Sequence, residues 1–294
     1  MMTVQVRFYT DPACPWSWAA EPALRRLMWE FDGELEFVWV MGGLARRYGR
    51  KYRDEEGRIG AGPDCYADLI SHWLDVVDDG LMPADPRIWT ESPLTSTYPA
   101  CQAVKAAAEQ GWEAGYRYLR RVREGIMFER RKLDQPEALR AEAAAAELDH
   151  ERFEIDLLSE ATTKAFDADL EEVRNPPDEA REAGAIRRTE GHERMSFPSA
   201  IFIGNGSSHH GIWGKARSHP VLRDAALAAG ARQVNDGALE PADAIRRFGR
   251  CATRELEVLA EKSLPVLEAE LWEMARDREL KTVRTLTGPL WEPA

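Results

Sequence analysis

The sequence predicts an α/β protein in which one sheet is assembled from two distant parts of the chain. Strand-like segments occur near the N-terminus and again after residue 198, and the long stretch between them has the composition of helices. The chain has 294 residues, of which 44% are hydrophobic and 31% are charged, as in globular proteins. This length favours about two structural units, or one unit with a large insertion. No apolar run approaches the ~18 residues that a membrane span needs.

The N-terminal segment follows the order strand, helix, strand. Residues 4–9 begin by alternating apolar and polar side chains and lead into an Asp-Pro turn signal, which predicts a strand that ends in a loop. Apolar residues then recur at helical spacing over residues 16–31, and Pro22 should bend this helix about two turns after its start. Residues 34–41 are rich in Phe, Val and Trp and predict a second strand.

After a long loop over residues 42–62, the chain is almost wholly helical and then returns to strands. The predicted elements are a helical block over residues 63–174, a short helix over 178–185, strands over 199–203 and 209–213 joined by a Gly-Asn-Gly-Ser turn, and a helix over 220–229. Without the helical block, the order is βαβ followed by ββα, with Pro198 directly before the third strand. That order is the thioredoxin architecture.

The C-terminal segment is predicted to form a separate unit. Three helices over residues 241–248, 253–260 and 265–278 precede two short strands over 281–286 and 289–291, which is the order of a winged helix. The third helix carries several acidic residues that would repel phosphates, so we expect docking or dimerisation and no nucleic-acid binding. The predicted units are residues 1–62 with 186–232 for the thioredoxin-like domain, 63–185 for the helical insertion and 238–294 for the helical extension.

Charge and cysteine content indicate a cytoplasmic protein without a disulfide scaffold. The net charge of −12 argues against a polyanionic partner held by bulk electrostatics. The four cysteines lack zinc-site spacing and no secretory signal is present, so the thiols should lie in a reducing compartment. His209 and His210 alternate along a strand and lack a third ligand, so no metal is expected.

Cys14 is the strongest candidate for a reactive group. It lies where the first strand gives way to the first helix, in the tetrapeptide Cys-Pro-Trp-Ser. At that position the sulfur would face the unpaired N–H groups and the positive end of the helix dipole. Cysteines in such settings have pKa values of about 3.5–7.5, against about 8.5 for a free cysteine. We therefore expect a partly exposed thiolate, with Ser17 in the place of the second cysteine of a C-x-x-C motif.

Residues 11–18, Asp-Pro-Ala-Cys-Pro-Trp-Ser-Trp, resemble the active-site loop of the DsbA family in the thioredoxin superfamily. The resemblance is strongest to the cytoplasmic branch of FrnE-like proteins and adaptors of the Spx-degrading protease, which carries a long helical insertion. Residues 196–199, Ser-Phe-Pro-Ser, match the loop whose cis-proline faces the active-site cysteine. Residues 97–101 resemble the start of an insertion helix near that site, and the whole resemblance covers about residues 3–230.

The resemblance implies thiol–disulfide chemistry, with Cys14 as the nucleophile and Pro198 as a cis-proline beside it. Phe197 would then present its backbone to an extended thiol-bearing peptide or to glutathione, which is the one co-substrate expected. Trp16 and Trp18 would line the groove, with a position in the core as the alternative for Trp18.

Ser17 departs from the family pattern, because a dithiol oxidoreductase uses its second cysteine to release the mixed disulfide. Ser17 cannot do this, although it could hydrogen-bond the thiolate. Three alternatives remain: monothiol chemistry completed by an external thiol, a resolving role for another cysteine such as Cys101, or loss of catalysis in favour of binding. The related kappa-class glutathione transferases and chromene-carboxylate isomerases keep a serine in place of the first cysteine, so the motif matches neither pattern fully.

The sequence therefore favours a DsbA-like thiol–disulfide oxidoreductase that acts through Cys14 on a thiol-bearing protein or glutathione. The alternatives are a non-catalytic adaptor that holds a protein partner, and a glutathione-dependent transferase or isomerase. A cleft wide enough for a peptide would favour the first two, and a closed pocket the third. Nucleic-acid and membrane partners are not expected. Cys65 and Cys251 are expected in the core, and His192 in a solvated loop.

Overall fold

The computed structural model describes residues 3–48, 66–189, 191–204 and 209–294. The N-terminal elements are β1 (Val4–Thr10), α1 (Pro15–Trp18), α2 (Glu21–Glu30) and β2 (Leu35–Met41). The helical segment contains α3 (Tyr66–Gly80), α4 (Ile88–Glu91), α5 (Tyr98–Ala108), α6 (Trp112–Met127), α7 (Pro136–Ala145), α8 (His150–Leu157), α9 (Glu160–Arg174) and α10 (Asp178–Glu182).

The chain then returns to strands, with β3 (Ile186–Thr189), β4 (His192–Met195), β5 (Ser199–Ile203), β6 (His209–Ile212) and the helix α11 (His219–Ala228). The C-terminal elements are α12 (Pro241–Phe248), β7 (Cys251–Ala252), α13 (Thr253–Ala260), α14 (Leu264–Arg276), β8 (Leu280–Arg284) and β9 (Pro289–Pro293). This order confirms the predicted thioredoxin-like α/β fold with its helical insertion. Residues 49–62 of the predicted loop, Cys65 and most of the turn predicted after Ile203 lie outside the described residues. Within those residues, no helix is long and apolar enough to cross a membrane.

A four-stranded mixed sheet, in the order β2-β1-β5-β6, positions the candidate site. β1 runs parallel to β2 and antiparallel to β5, and near the end of β1 Tyr9 pairs with Ser199. The chain that leaves β1 toward Cys14 and the loop that enters β5 through Pro198 therefore meet at one end of the sheet. This register brings together two motifs that are far apart in sequence.

The first helix is in fact two helices, which corrects the prediction of one bent helix over residues 16–31. α1 is a single turn, and α2 begins again after Ala19 and Ala20. Pro22 lies in the first turn of α2, where a residue without an N–H loses no helical hydrogen bond. The proline therefore starts the second helix and does not bend a continuous one.

β3 and β4 form a separate two-stranded hairpin, with Ile186 opposite Met195, that the sequence did not predict. The strands have the sequences Ile-Arg-Arg-Thr and His-Glu-Arg-Met, which lack the alternation of apolar and polar residues that marks a half-buried strand. The hairpin ends directly before the loop that contains Pro198, so its charged side chains lie near the candidate site.

The helical insertion shares its core with the sheet. One apolar cluster joins Phe8 and Trp39 of the sheet to Val104 of α5 and Leu119 of α6. Trp39 also stacks on Tyr116 of α6, with ring centroids 5.5 Å apart. The inner helices are therefore packed directly on the sheet, while the boundaries given above for the separate units stay a prediction.

The C-terminal extension has a small core of its own, which includes Ile245, Leu256, Leu271 and Trp291. The three predicted helices and two predicted strands are present, in the order of a winged helix. β7 adds a third strand beside β9. It has two residues, which is too short for a sequence pattern to reveal.

Buried charges join the C-terminal extension to the rest of the protein. Glu255 of α13 pairs with Arg120 of α6 at 2.7 Å and with Arg25 of α2 at 3.2 Å. Glu21 of α2 pairs with the same Arg120 at 3.2 Å. All four side chains are at most 6% exposed, so little water screens the attraction between them. This network links α2, α6 and α13 at one buried point.

Candidate active site

The buried carboxylate of Asp11 holds the loop between β1 and α1. Its Oδ1 accepts a hydrogen bond from the Ala13 N–H at 2.9 Å, and its Oδ2 accepts one from the Leu44 N–H at 2.8 Å. The Asp11 carbonyl accepts a further bond from the Cys14 N–H at 3.1 Å. These bonds fix the backbone of Cys14 at the start of α1.

Cys14 caps α1, as the sequence predicts, but only 4% of the residue is exposed. Burial raises the pKa of the Cys14 thiol. Ser17 and the Arg194 guanidinium oppose this shift, and the charge of Asp11 reinforces it. The expectation of a partly exposed thiol with a lowered pKa is therefore wrong. A single-turn helix contributes too little to outweigh the desolvation of a buried thiolate.

Ser17 is buried beside Cys14. Its hydroxyl has no partner with regular hydrogen-bond geometry in the described part of the chain, yet its hydroxyl and N–H both lie close enough to lower the pKa of Cys14. A hydroxyl hydrogen rotates to suit its acceptor. Ser17 can therefore donate to the sulfur once the thiolate forms, which is the role that the sequence assigned to it.

The peptide bond between Phe197 and Pro198 is cis, which confirms that prediction. The ring of Phe197 packs on Gly42, just after β2, so closely that a side chain at Gly42 would overlap it. Phe197, Pro198 and Cys14 all line one cavity.

This cavity has a volume of about 530 Å³ and is closed on one side by the helical insertion. His72 of α3 packs edge-on against Trp16, with ring centroids 6.0 Å apart. The lining also includes four aromatic or aliphatic side chains and three cations. The first set is Tyr48, Leu69, Trp73 and Trp89, and the cations are Arg187, Arg194 and Arg217. A space of this size suits a molecule as large as a tripeptide, or the end of a peptide chain.

The two tryptophans of the motif point in different directions. Trp16 lines the cavity, and the guanidinium carbon of Arg217 lies 4.5 Å from its ring centroid. Trp18 is 1% exposed and donates from Nε1 to the Pro83 carbonyl at 2.9 Å. Of the two positions expected for Trp18, the structure shows the core and not the groove, because residues two apart on a helix do not share a face.

Cys101 lies next to the active-site loop but outside the cavity lining. Its Sγ donates a hydrogen bond to Asp11 Oδ2 at 3.3 Å, and the residue is fully buried. Burial and the neighbouring Asp11 carboxylate raise the pKa of Cys101 well above its ordinary value. A buried, protonated thiol is a poor nucleophile. A resolving role for Cys101 stays a prediction, and the geometry favours an external thiol.

Arg194 and the wall formed by α3 are the parts of the site that the sequence analysis missed. The available signal for Arg194 was a basic segment directly before the Phe-Pro-Ser loop. The helix that became α3 was visible in the sequence, but nothing in its pattern says which part of the sheet it covers. Among the weaker candidates, Cys251 is fully buried as expected, and three histidines lie outside the described lining of the cavity: His192, His209 and His210.

Among Cys14, Cys101 and Cys251, we expect substoichiometric iodoacetamide to label Cys14 first, because of these three it alone lines the cavity described above. The thiolate is the reacting form, and burial raises the pKa of Cys14. Its labelling rate should therefore keep rising as the pH passes about 8.5, the pKa of a free cysteine. Peptide mass spectrometry over a pH series measures both expectations. A rate that levels off below pH 7 would show that the thiolate is stabilised after all.

The Thioredoxin_5 family model, described as thioredoxin, matches residues 8–175 of this chain. Among curated proteins, the ClpXP adapter protein SpxH of Halalkalibacterium halodurans is 30% identical over 171 residues, which are 57% of this chain and 53% of the relative. The chain thus spans about half the length of this relative. The SpxH protein of Bacillus licheniformis is 22% identical over 289 residues, which are 98% of this chain and 88% of the relative.

Two solved structures show the same fold. A candidate protein disulfide isomerase from Nitrosomonas europaea superposes with a TM-score of 0.59 and 17% identity, over 78% of this chain and all of that one (100%). The cytosolic disulfide reductase DsbM from Pseudomonas aeruginosa, also solved with GSH, gives a TM-score of 0.52 and 16% identity, over 76% of this chain and 98% of that one. The chain therefore belongs to the Thioredoxin_5 family and has the thioredoxin-like fold.

Proposed function

We propose that this protein catalyses thiol–disulfide exchange through Cys14 alone, on low-molecular-weight thiols such as glutathione or on the thiol-bearing end of a peptide. One observation carries the proposal: Cys14 and the cis-proline Pro198 line the same partly enclosed cavity of about 530 Å³. An extended thiol compound in this space would meet the sulfur and the cis-proline together. A folded protein substrate would need to insert a chain end.

The exchange takes two steps. The Cys14 thiol loses its proton to water or buffer, and the thiolate attacks one sulfur of a disulfide, which forms a mixed disulfide and releases the other half as a thiolate. A low-molecular-weight thiolate then attacks the substrate sulfur, forms a new disulfide with it and releases the Cys14 thiolate. Ser17 cannot perform the second attack, so an external thiol completes the cycle.

The Cys14→Ser variant should lose glutathione-dependent reduction of bis(2-hydroxyethyl) disulfide, down to the rate without protein. The Cys101→Ala variant should stay within about twofold of the unmodified protein, because Cys101 is buried outside the cavity. The rate is followed as NADPH consumption in an assay coupled to glutathione reductase.

Activity that survives in Cys14→Ser would overturn the assignment of the nucleophile. Release of glutathione from glutathionylated Cys14 should be equally fast in the unmodified protein and in Cys101→Ala, and should rise with added thiol in both. Slow release in Cys101→Ala alone, without added thiol, would show that Cys101 resolves the bond.

A second function, that of a protein-binding adapter, is favoured by a separate cleft of about 1150 Å³. It lies between the body and the C-terminal extension, and its lining includes Phe37, Trp112, Arg117 and Phe248. A cleft of this size admits a peptide segment of a partner protein. The curated relatives are ClpXP adapters by name, which supports the same candidate. Binding of purified ClpXP to the Cys14→Ser variant tests it apart from the exchange reaction, because different residues line the two spaces.

A further inference from the structure

Arg194 is held in place at the Cys14 cavity by three contacts. Its Nε donates to Thr189 Oγ1 at 2.9 Å, and its Nη1 donates to the Met195 carbonyl at 2.8 Å. The guanidinium carbon lies 4.8 Å from the ring centroid of Phe197. The hairpin formed by β3 and β4 therefore presents a fixed cation to the cavity, and the Nη2 group takes no part in these hydrogen bonds.

Within the described ranges, no carboxylate lies within 4.0 Å of the Arg194 guanidinium. By contrast, Arg217, which lines the same cavity, pairs with Asp79. Asp11 is a nearby acid, but its carboxylate already accepts bonds from two backbone N–H groups and Cys101. Burial lowers the pKa of Arg194 to about 10, although Cys14 and Asp11 oppose the shift. The side chain is thus a cation at neutral pH, and the described part of the chain supplies no ion pair to match its charge.

We infer that Arg194 selects the substrate of the proposed exchange reaction by binding a carboxylate of the incoming thiol or disulfide. The substrate class is then an acidic low-molecular-weight disulfide, with a carboxylate within reach of Arg194 when its sulfur lies against Cys14. A guanidinium binds a carboxylate through charge-assisted hydrogen bonds, which are stronger than neutral ones and more so where water is excluded. This inference rests on the proposed function and narrows it.

Arg194 could instead act only on the Cys14 thiolate, as a nearby positive charge. The two roles differ in one measurable respect. Help to the thiolate accelerates attack on every disulfide alike, whereas a carboxylate site accelerates attack on acidic disulfides alone. The charge of the probe therefore separates them.

The test uses two disulfides that report their own cleavage by absorbance: 5,5′-dithiobis(2-nitrobenzoate), which carries one carboxylate on each half, and the neutral 2,2′-dithiodipyridine. In both reactions the Cys14 thiolate attacks one sulfur, forms a mixed disulfide and releases the other half as the coloured thiolate or thione. The full chain is used at one fixed pH, and the rate of Cys14→Ser is subtracted as the contribution of the other thiols.

In the Arg194→Gln variant, the rate with the acidic probe should fall at least about tenfold further than the rate with the neutral probe. The neutral probe should also react more slowly, because Arg194 lowers the pKa of Cys14 and its loss leaves less thiolate at the fixed pH. Arg194→Lys keeps the charge and should recover part of the lost rate. The matched control is Arg217→Gln, which removes another cation from the lining of the cavity. Because Arg217 is already paired with Asp79, this change should alter the ratio of the two rates by less than about threefold.

Equal slowing of both probes in Arg194→Gln would assign the residue to the thiolate and overturn the inference. Unchanged rates would overturn it as well. Far-UV circular dichroism of each variant shows that the fold is kept. If Cys14 of the unmodified protein reacts with neither probe, the proposed function itself fails, which is a different outcome from a wrong role for Arg194.

Discussion

Replacing Ser17 by cysteine is expected to release glutathione from glutathionylated Cys14 at least about a hundredfold faster than in the unmodified protein when no thiol is added. Ser17 is buried beside Cys14 and near enough to its sulfur to affect the pKa of the thiol. A thiolate at position 17 would attack the Cys14 sulfur, glutathione would leave as a thiolate, and an intramolecular disulfide would remain. The acceleration arises because the new thiol is held against the bond that it must attack.

Intact-protein mass spectrometry over time measures the loss of the glutathione adduct in Ser17→Cys. Ser17→Ala is the matched control, since it changes the same position without supplying a thiol, and it should release glutathione no faster than the unmodified protein. A stable adduct in Ser17→Cys with an unchanged circular dichroism spectrum would contradict the expectation. It would mean that residue 17 does not reach the mixed disulfide, and it would strengthen the adapter interpretation.

The missing second cysteine and the partly enclosed cavity are compatible with the same chemistry. A small thiol can enter a space of about 530 Å³ and supply the resolving group itself. A large protein substrate would fill the entrance and keep an external thiol away from the mixed disulfide. Monothiol exchange on small substrates therefore requires only Cys14 and an external thiol. Exchange on folded proteins would require a second thiol beside Cys14.

Local signals were sufficient to predict the two motifs of the site. The change from strand to helix at Cys14 and the proline directly before a strand are both visible in short stretches of sequence. Their meeting at one end of the sheet follows from the thioredoxin order of strands. The burial of Cys14 could not be predicted in this way, because Cys14 packs in an apolar cluster with Val173 of α9 and with Met195 and Phe197, which lie far from it in the chain.

Charge patterns were the least informative part of the sequence. Arg194 lies on a strand without apolar alternation, so neither the hairpin nor its place at the cavity could be inferred. Arg25 and Glu255 lie on helices rich in charged residues, and such side chains are almost never fully buried unless they are paired. Their pairing joins elements that are more than two hundred residues apart, and no local pattern records it.

The Glu255→Ala variant is expected to lower the free energy of unfolding by about 3–5 kcal/mol, because it leaves buried guanidinium groups without their carboxylate. Glu255 is fully buried, pairs with Arg25 and Arg120, and also accepts a bond from the Ala252 N–H at 2.7 Å. Arg120 retains Glu21 and Glu124, whereas Arg25 would keep only neutral partners. Urea denaturation, monitored by far-UV circular dichroism, measures this decrease in the free energy of unfolding.

Glu257 on the same helix provides the matched control. It pairs with Arg254 at 2.7 Å, but both side chains are partly exposed, so Glu257→Ala should change the free energy of unfolding by about 0–1 kcal/mol. Glu255→Gln keeps the shape of the side chain and can still accept hydrogen bonds. The decrease in its free energy of unfolding should therefore lie between the decreases in the two alanine variants. If Glu255→Ala and Glu257→Ala were equally mild, the buried network would contribute little, and apolar contacts would hold the C-terminal extension in place.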